Sequence, residues 1–194
     1  HEHSDHIKGI DVFARRFQIP VYASPLTWQV LPFCDKLPCT LKQVFTYELE
    51  IDDLGITFFK TSHDACQPVG MVMQADGRSL GLLTDSGCAK PAMLKALESV
   101  DACVLEANHN LEMLWTGPYP MWLKKRVSGL FGHLSNIEAA RILAQIAGPR
   151  LQYCILAHLS KTNNTPKVAV ADFMAELQRL GVDDSFALKV APRY

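Results

Sequence analysis

His1-Glu2-His3-Ser4-Asp5-His6, the hexapeptide HEHSDH that opens the chain, places three histidines and an aspartate within six residues. In an extended segment His1 and His3 point to the same face, because side chains alternate with period two. A turn at Ser4 swings Asp5 and His6 toward a second centre. Imidazole nitrogens and a carboxylate suit zinc, and also manganese or iron. Adjacent residues diverge, so these four ligands do not fit one tetrahedral ion. Two metals close together relieve the conflict.

The composition around this segment narrows the function. The chain has 194 residues, 48% hydrophobic and 20% charged, which fits a folded globular protein and excludes disorder. Its formal net charge is −1, so no global field draws in nucleic acid or an anionic membrane, and an anionic substrate must be held by a local feature. No run of 18 apolar residues occurs, so neither a transmembrane helix nor a membrane partner is expected. Cys34 and Cys39 lie close together in FCDKLPC and the other four cysteines are scattered singly. This pattern predicts reduced thiols in a reducing compartment, hence a cytoplasmic location. The chain opens on His1 rather than methionine, which leads us to expect that an N-terminal part precedes it and deprives a missing signal peptide of meaning.

Periodicity predicts helices in IKGIDVFARRF, at 89–99, within 111–128 (interrupted at 117–120), at 135–147 and at 166–180. A helical turn is expected at 26–31. Strands are expected at 19–23, 56–59, 101–105, 151–157 and 186–190. A β-hairpin is expected from 69–74 and 79–84 around Ala75-Asp76-Gly77-Arg78. Ser135 and Glu138 form a capping-box signature, and Gly181 ends the last helix. Helices alternate with strands at both ends and hairpins lie between, which predicts an α/β layered domain with at least one mixed sheet.

The remaining histidines, His63, His109, His133 and His158, also fall in short polar loops beside expected strand ends or helix starts. Ligand and catalytic residues gather on such loops because a rigid scaffold positions them.

HEHSDH resembles the HxHxDH signature of the metallo-β-lactamase superfamily. His63 in FKTSHDACQPVG, Asp85 in LLTDSG and His158 in LAHLS follow in the family's order. The wording of LEANHN, GPYPMWLKKRVSG, GHLSN and HLSKTNNTP is similar to the YycJ/WalJ-like branch, hydrolases related to ribonuclease Z and phosphodiesterases. Two departures stand out. The strands that precede the signature in the family are not in this chain, and Asn110 stands where the branch has aspartate. There is also no room for the inserted cap domain of the RNA-processing and DNA-repair members.

The resemblance implies one hydrolase domain over 1–194, N-terminally incomplete, with an αββα sandwich of two mixed sheets flanked by helices. It implies two divalent metal ions, zinc foremost, with manganese or iron as alternatives. His1, His3 and His63 would bind the first; Asp5, His6 and His158 the second; Asp85 would bridge them. Two divalent cations outweigh Asp5, Asp85 and a bridging hydroxide, so the site would attract an anionic phosphodiester of DNA or RNA, which the hydroxide attacks. Asp5 would orient that water, and His133 would steady or protonate the developing oxyanion. The same ligands also serve a small cyclic phosphodiester, a thioester or a lactam, or a non-catalytic metal-stabilised module.

Other residues keep two readings. Glu106 and His109 either orient ligand histidines or make structural loop bonds. Lys124 and Lys125, with Arg126, either hold polymer phosphates or form a solvated face. Asn163 and Asn164 either contact substrate or make a turn. Trp115, Tyr119 and Trp122 either stack a base or pack in the core. Asp64 either supports His63 or lies on the surface.

Overall fold

A seven-stranded sheet organises the protein, seen here in a computed structural model that describes residues 1–182 and 185–192. The opening segment contains α1 (Ser4–Ile7), α2 (Ile10–Phe17), β1 (Val21–Ala23), α3 (Pro25–Val30) and β2 (Lys42–Val44). The meander that follows comprises β3 (Glu48–Ile51), β4 (Leu54–Lys60), β5 (Val69–Ala75) and β6 (Arg78–Leu83). The chain then alternates: α4 (Pro91–Leu97), β7 (Ala102–Glu106), α5 (Leu111–Thr116), α6 (Met121–Val127), α7 (Asn136–Ile146), β8 (Tyr153–Ala157), α8 (Pro166–Leu180) and β9 (Ala187–Val190).

The strands of the main sheet lie side by side in chain order from β3 to β9. Pairing is antiparallel from β3 to β6 and parallel from β6 to β9, so the sheet is mixed as expected. The expected hairpin is β5–β6, closed over Asp76 and Gly77, both with positive φ, the conformation that a two-residue hairpin turn demands. Among the described residues the second sheet is the parallel pair β1–β2, short rather than a full mixed layer. Pro20 and Pro25 flank β1, and Pro25 already starts α3, so β1 ends after three residues.

Alternation along the central strands turns Leu83, Cys103, Leu105, Cys154 and Leu156 to one face, each fully buried. Helices α4, α7 and α8 cover that face with Met93, Leu97, Leu143 and Phe173. The capping box predicted for α7 is present: the Ser135 side chain accepts from the Glu138 N–H, and the Glu138 carboxylate accepts from the Ser135 N–H. Helix α8 stops at Gly181 in the left-handed conformation. All six cysteines are free, and no helix among the described residues is long and apolar enough to cross a membrane.

One consequence of the topology positions the site. Because β5 is antiparallel to both β4 and β6, strands β4, β6, β7 and β8 all run the same way. Their C-terminal ends meet at one edge, where His63, Asp85, Glu106 and His158 emerge.

The opposite edge is fastened by Asp101, whose Oδ2 accepts from the Ser79 N–H (2.7 Å), the Ser79 hydroxyl (2.8 Å) and Arg150 Nη2 (2.8 Å). Hydrogen bonds from Arg150 and then Ser79 hold this carboxyl down at about 2. A depressed folded pKa stabilises the protein above the unfolded value, and that contribution is lost as pH falls through the folded one. Asp101→Asn is expected to lower Tm at neutral pH by about 2–4 °C. It should also flatten the decline of Tm between pH 3.8 and about 2. Thermal melts across that range check both.

Candidate metal centre

The hexapeptide bends where the sequence placed a turn. His3 caps α1, whose first turn begins at Ser4, with the His6 N–H donating to the His3 carbonyl (3.0 Å). Glu2 Oε1 accepts from the Cys66 N–H (2.8 Å), which pins this segment to the loop after His63. His63 itself is buried, and its Nδ1 lies 2.9 Å from the Gly132 carbonyl. A carbonyl only accepts, so Nδ1 carries the proton and Nε2 presents a lone pair. That Nε2 lies 3.2 Å from His3 Nδ1. Burial, aided by nearby His133, keeps His63 below the usual histidine range, and so neutral and fit to bind a cation.

The ligand atoms of His1, His3 and His63 all lie within 4.8 Å of one another, and so do those of Asp5, His6 and His158. Asp85 reaches both groups. Its Oδ1 is 3.7 Å from His63 Nε2 and 3.6 Å from His158 Nε2, and its Oδ2 is 3.2 Å from His6 Nε2 without a hydrogen-bonding alignment. Asp85 follows β6 and His158 follows β8 in the left-handed backbone region, with φ of 55° and 56°. Non-glycine residues rarely adopt it, and their clustering at one place marks a functional site.

A metal pair fits these residues. His1 Nε2 and Asp85 Oδ2 are buried with no hydrogen-bond partner, a costly state that a cation between the groups relieves. The donors are nitrogen and oxygen, the set that zinc, manganese and iron take.

One carboxylate organises the far side. Glu106 ends β7 and is fully buried. Its Oε1 accepts from His133 Nδ1 and from His158 Nδ1, both at 2.7 Å. Its Oε2 accepts from the Ser86 N–H (3.2 Å) and the Leu134 N–H (3.1 Å). Both histidines thus have Nδ1 engaged and Nε2 turned outward. Burial opposes a charge on His158, but Glu106, Asp85 and Asp5 outweigh it and push its pKa up to about 9. His133 is raised by the same carboxylate against the same penalty. Asp85 is likewise opposed by burial yet held well below the carboxylate range by His6 and His158.

Comparison with known proteins identifies the family. The family described as "Beta-lactamase superfamily domain" matches residues 1–158. Exodeoxyribonuclease YycJ of Bacillus anthracis is 34% identical over 193 residues, covering 97% of this chain and 73% of the relative. Exodeoxyribonuclease WalJ of Streptococcus pneumoniae (strain ATCC BAA-255 / R6) is 36% identical, covering 96% and 72%. Among solved structures, the metallo-β-lactamase fold protein YhfI of Bacillus subtilis superposes with a TM-score of 0.70 at 19% identity, covering 98% of this chain and 72% of that one. Zn(2+)-bound PqqB from Methylobacterium extorquens gives 0.64 at 17% identity, covering 98% and 66%. This chain belongs to the metallo-β-lactamase superfamily. Members of the fold bind divalent metal ions, and the groups around Asp85 are where this member has the residues for them.

The structure places the residues that the sequence left with two readings. Of Glu106 and His109, only Glu106 bonds other histidines, through Nδ1 of His133 and His158. His109 is fully buried with neither ring nitrogen bonded, and burial pushes it down to about 4. Its part is played by its backbone, whose carbonyl accepts from the Asn136 N–H. Lys124 is buried and its Nζ donates to the Trp115 carbonyl (2.6 Å), so it joins α5 to α6. Lys125 is exposed, outside the cleft lining. Asn163 and Asn164 are buried; Asn164 donates to the carbonyls of Ala107 and Asn108 and to Asn136 Oδ1, a structural rather than a substrate-facing role. Trp115 and Trp122 are exposed, not core. Asp64 pairs with Arg126 (2.6 Å), and its carbonyl lies 3.2 Å from His3 Nε2. Asn110 donates to Asp172 Oδ2 (2.8 Å), a place where aspartate would set two carboxylates together.

A cleft of about 580 Å³ opens on the centre, lined by His3, Asp5, Asp85, Asn108, Tyr119, Arg126, His133, His158, Ser160 and Lys161. Sequence reasoning passed over Asn108, Ser160 and Lys161; the only signal for Ser160 and Lys161 was their place in the loop that starts at His158. Behind the cleft Gly87 is indispensable, since a Cβ there would collide with the backbone of Gly129, Leu130 and Gly132.

Two outcomes follow. Glu106→Gln keeps the shape but removes the charge and, whichever way the amide is turned, sets its NH2 against two N–H donors; metal affinity should fall about 10–100-fold in competition titrations, with circular dichroism unchanged. Gly87→Ala should displace Gly132 and with it the carbonyl that orients His63, so metal analysis of the purified variant should find the stoichiometry reduced.

Proposed function

We propose that this chain is a two-metal hydrolase that cleaves phosphodiester bonds of nucleic acid, DNA foremost, with zinc as the first choice of metal and manganese or iron as alternatives. The observation that carries this reading is the pair of ligand groups that share Asp85 beside an open cleft, with His133 on the same wall. The superfamily membership supports a metal-dependent hydrolase, and the two exodeoxyribonuclease relatives support a nuclease. The preference for zinc rests on imidazole-rich ligation, five histidines beside Asp5 and Asp85.

His1, His3 and His63 would hold one cation, Asp5, His6 and His158 the other, with Asp85 between them. Bound there, the cations supply Lewis acidity and lower the pKa of water so that a nucleophile forms at neutral pH.

The remaining steps belong to side chains of the protein. Asp5 is exposed, lines the cleft and places Oδ2 3.4 Å from His158 Nε2, which suits it to orient the attacking water. His133 has Nδ1 fixed on Glu106, so its Nε2 is the atom that meets substrate. With Nδ1 bonded to Glu106, His133 places Nε2 to carry a proton and donate it to the leaving oxygen as charge develops. Glu106, buried and ionised, stabilises that imidazolium before transfer. The cleft walls hold the phosphodiester in line with these groups.

The test is hydrolysis by protein loaded with zinc or manganese, offered single- and double-stranded DNA, RNA and bis(p-nitrophenyl) phosphate. Release of nucleotides and nitrophenol is expected; no hydrolysis with both metals shown to be bound overturns the proposal. His133→Ala should retain its metals and lose about 10²–10⁴-fold in kcat.

A further inference from the structure

Two cations line the cleft without serving the chemistry above. Arg126 comes from α6 and Lys161 from the loop after His158, and both share the cleft with His133 and Asp85. Arg126 Nε donates to Asp64 Oδ2 at 2.6 Å, while its two terminal nitrogens have no partner among the described residues. Asp64 is held in turn by its N–H on the Phe131 carbonyl (3.1 Å). The guanidinium is therefore pinned along one edge and presents its other donors. Half of the side chain, 53%, is exposed.

Lys161 is exposed and has no hydrogen bond or ion pair among the described residues. Its loop is nonetheless fixed. The Ser160 N–H donates to the Asn108 carbonyl (2.8 Å), and the Ser160 hydroxyl accepts from the N–H groups of Thr162 (3.3 Å) and Asn163 (3.1 Å). The neighbouring Lys124 offers a contrast, since its charge is buried and spent on a carbonyl. An unpaired cation on an ordered loop, lining the same cleft as a second one on a helix, is an anion-binding arrangement.

The need for one is plain from the charge. A chain of net charge −1 has no long-range attraction for a polyanion, so affinity must come from local contacts. A polynucleotide also carries phosphates on both sides of the one being cut. We propose that Arg126 and Lys161 are positioning residues that grip phosphates flanking the scissile one and so set the register of the strand over the metal centre. This rests on the nucleic-acid reading above and adds to it the residues that recognise a polymer rather than a lone diester.

The test compares wild-type protein with Arg126→Ala, Arg126→Lys, Lys161→Ala and the double alanine variant, each metal-loaded and with its metal content measured. Binding of a fluorescent single-stranded phosphorothioate DNA is followed by anisotropy at several salt concentrations, and turnover of bis(p-nitrophenyl) phosphate is measured alongside. Each alanine should weaken DNA binding about tenfold. Each should also reduce the slope of log K against log salt by about 0.7–1. Arg126→Lys should restore the slope, and turnover of the small diester should stay at the wild-type level.

Unchanged affinity and slope in the alanine variants, with wild-type protein binding and cutting DNA, overturns the clamp and leaves the nuclease reading standing. Equal loss on DNA and on the small diester also overturns it, because Arg126 would then act only through Asp64 on the metal loop. Wild-type protein that holds both metals and binds no DNA at low salt overturns both proposals.

Discussion

The buried carboxylate of Glu106 is the constraint on which the centre depends. It is fully buried, a position that strongly disfavours an ionised group unless every oxygen is paired. Four donors meet that demand: the imidazoles of His133 and His158 and the backbone N–H groups of Ser86 and Leu134. These donors come from the loops after β6 and β8 and from the approach to α7. Glu106 can reach them all because β7 lies between β6 and β8 in the sheet. The order of strands is thereby converted into the orientation of two rings.

Charge is balanced by the same economy of parts. Asp5, Asp85 and Glu106 all contact His158, and the field they create raises it while His6 and His158 depress Asp85. A field that holds an extra proton on an imidazole also favours a cation in its place. The attraction is confined to this corner of a nearly neutral molecule. It is also shielded from water on the sheet side, where low polarisability strengthens it.

Much of this was legible in the sequence where the signal was local. HEHSDH concentrates its ligands within one turn's reach, Asp76-Gly77 demands a hairpin, and Ser135 with Glu138 marks the start of α7. What escaped depended on distance. Choosing Glu106 over His109 required knowing that Glu106 sits opposite Ala157 in the β7–β8 register, next to His158. The basic run 124–126 reads as uniform, yet one lysine is buried on the Trp115 carbonyl, the next faces solvent and the arginine enters the cleft. Asn163 and Asn164 read as a polar turn, but packing against 107–108 and Asn136 carries them inside. The pairing of β1 with β2 spans two proline-bounded segments and leaves no periodic trace.

The crowding of main chain around Gly87 has a bearing on how this enzyme could change. Where backbone touches backbone, no side chain is available to vary, so the wall behind Asp85 and His133 is fixed as a unit. Tyr119, Arg126 and Lys161 meet the same cleft through side chains, which substitution can change without moving main chain. A change in what the cleft accepts is therefore a matter of swapping those side chains while the main chain around Gly87 stays as cast.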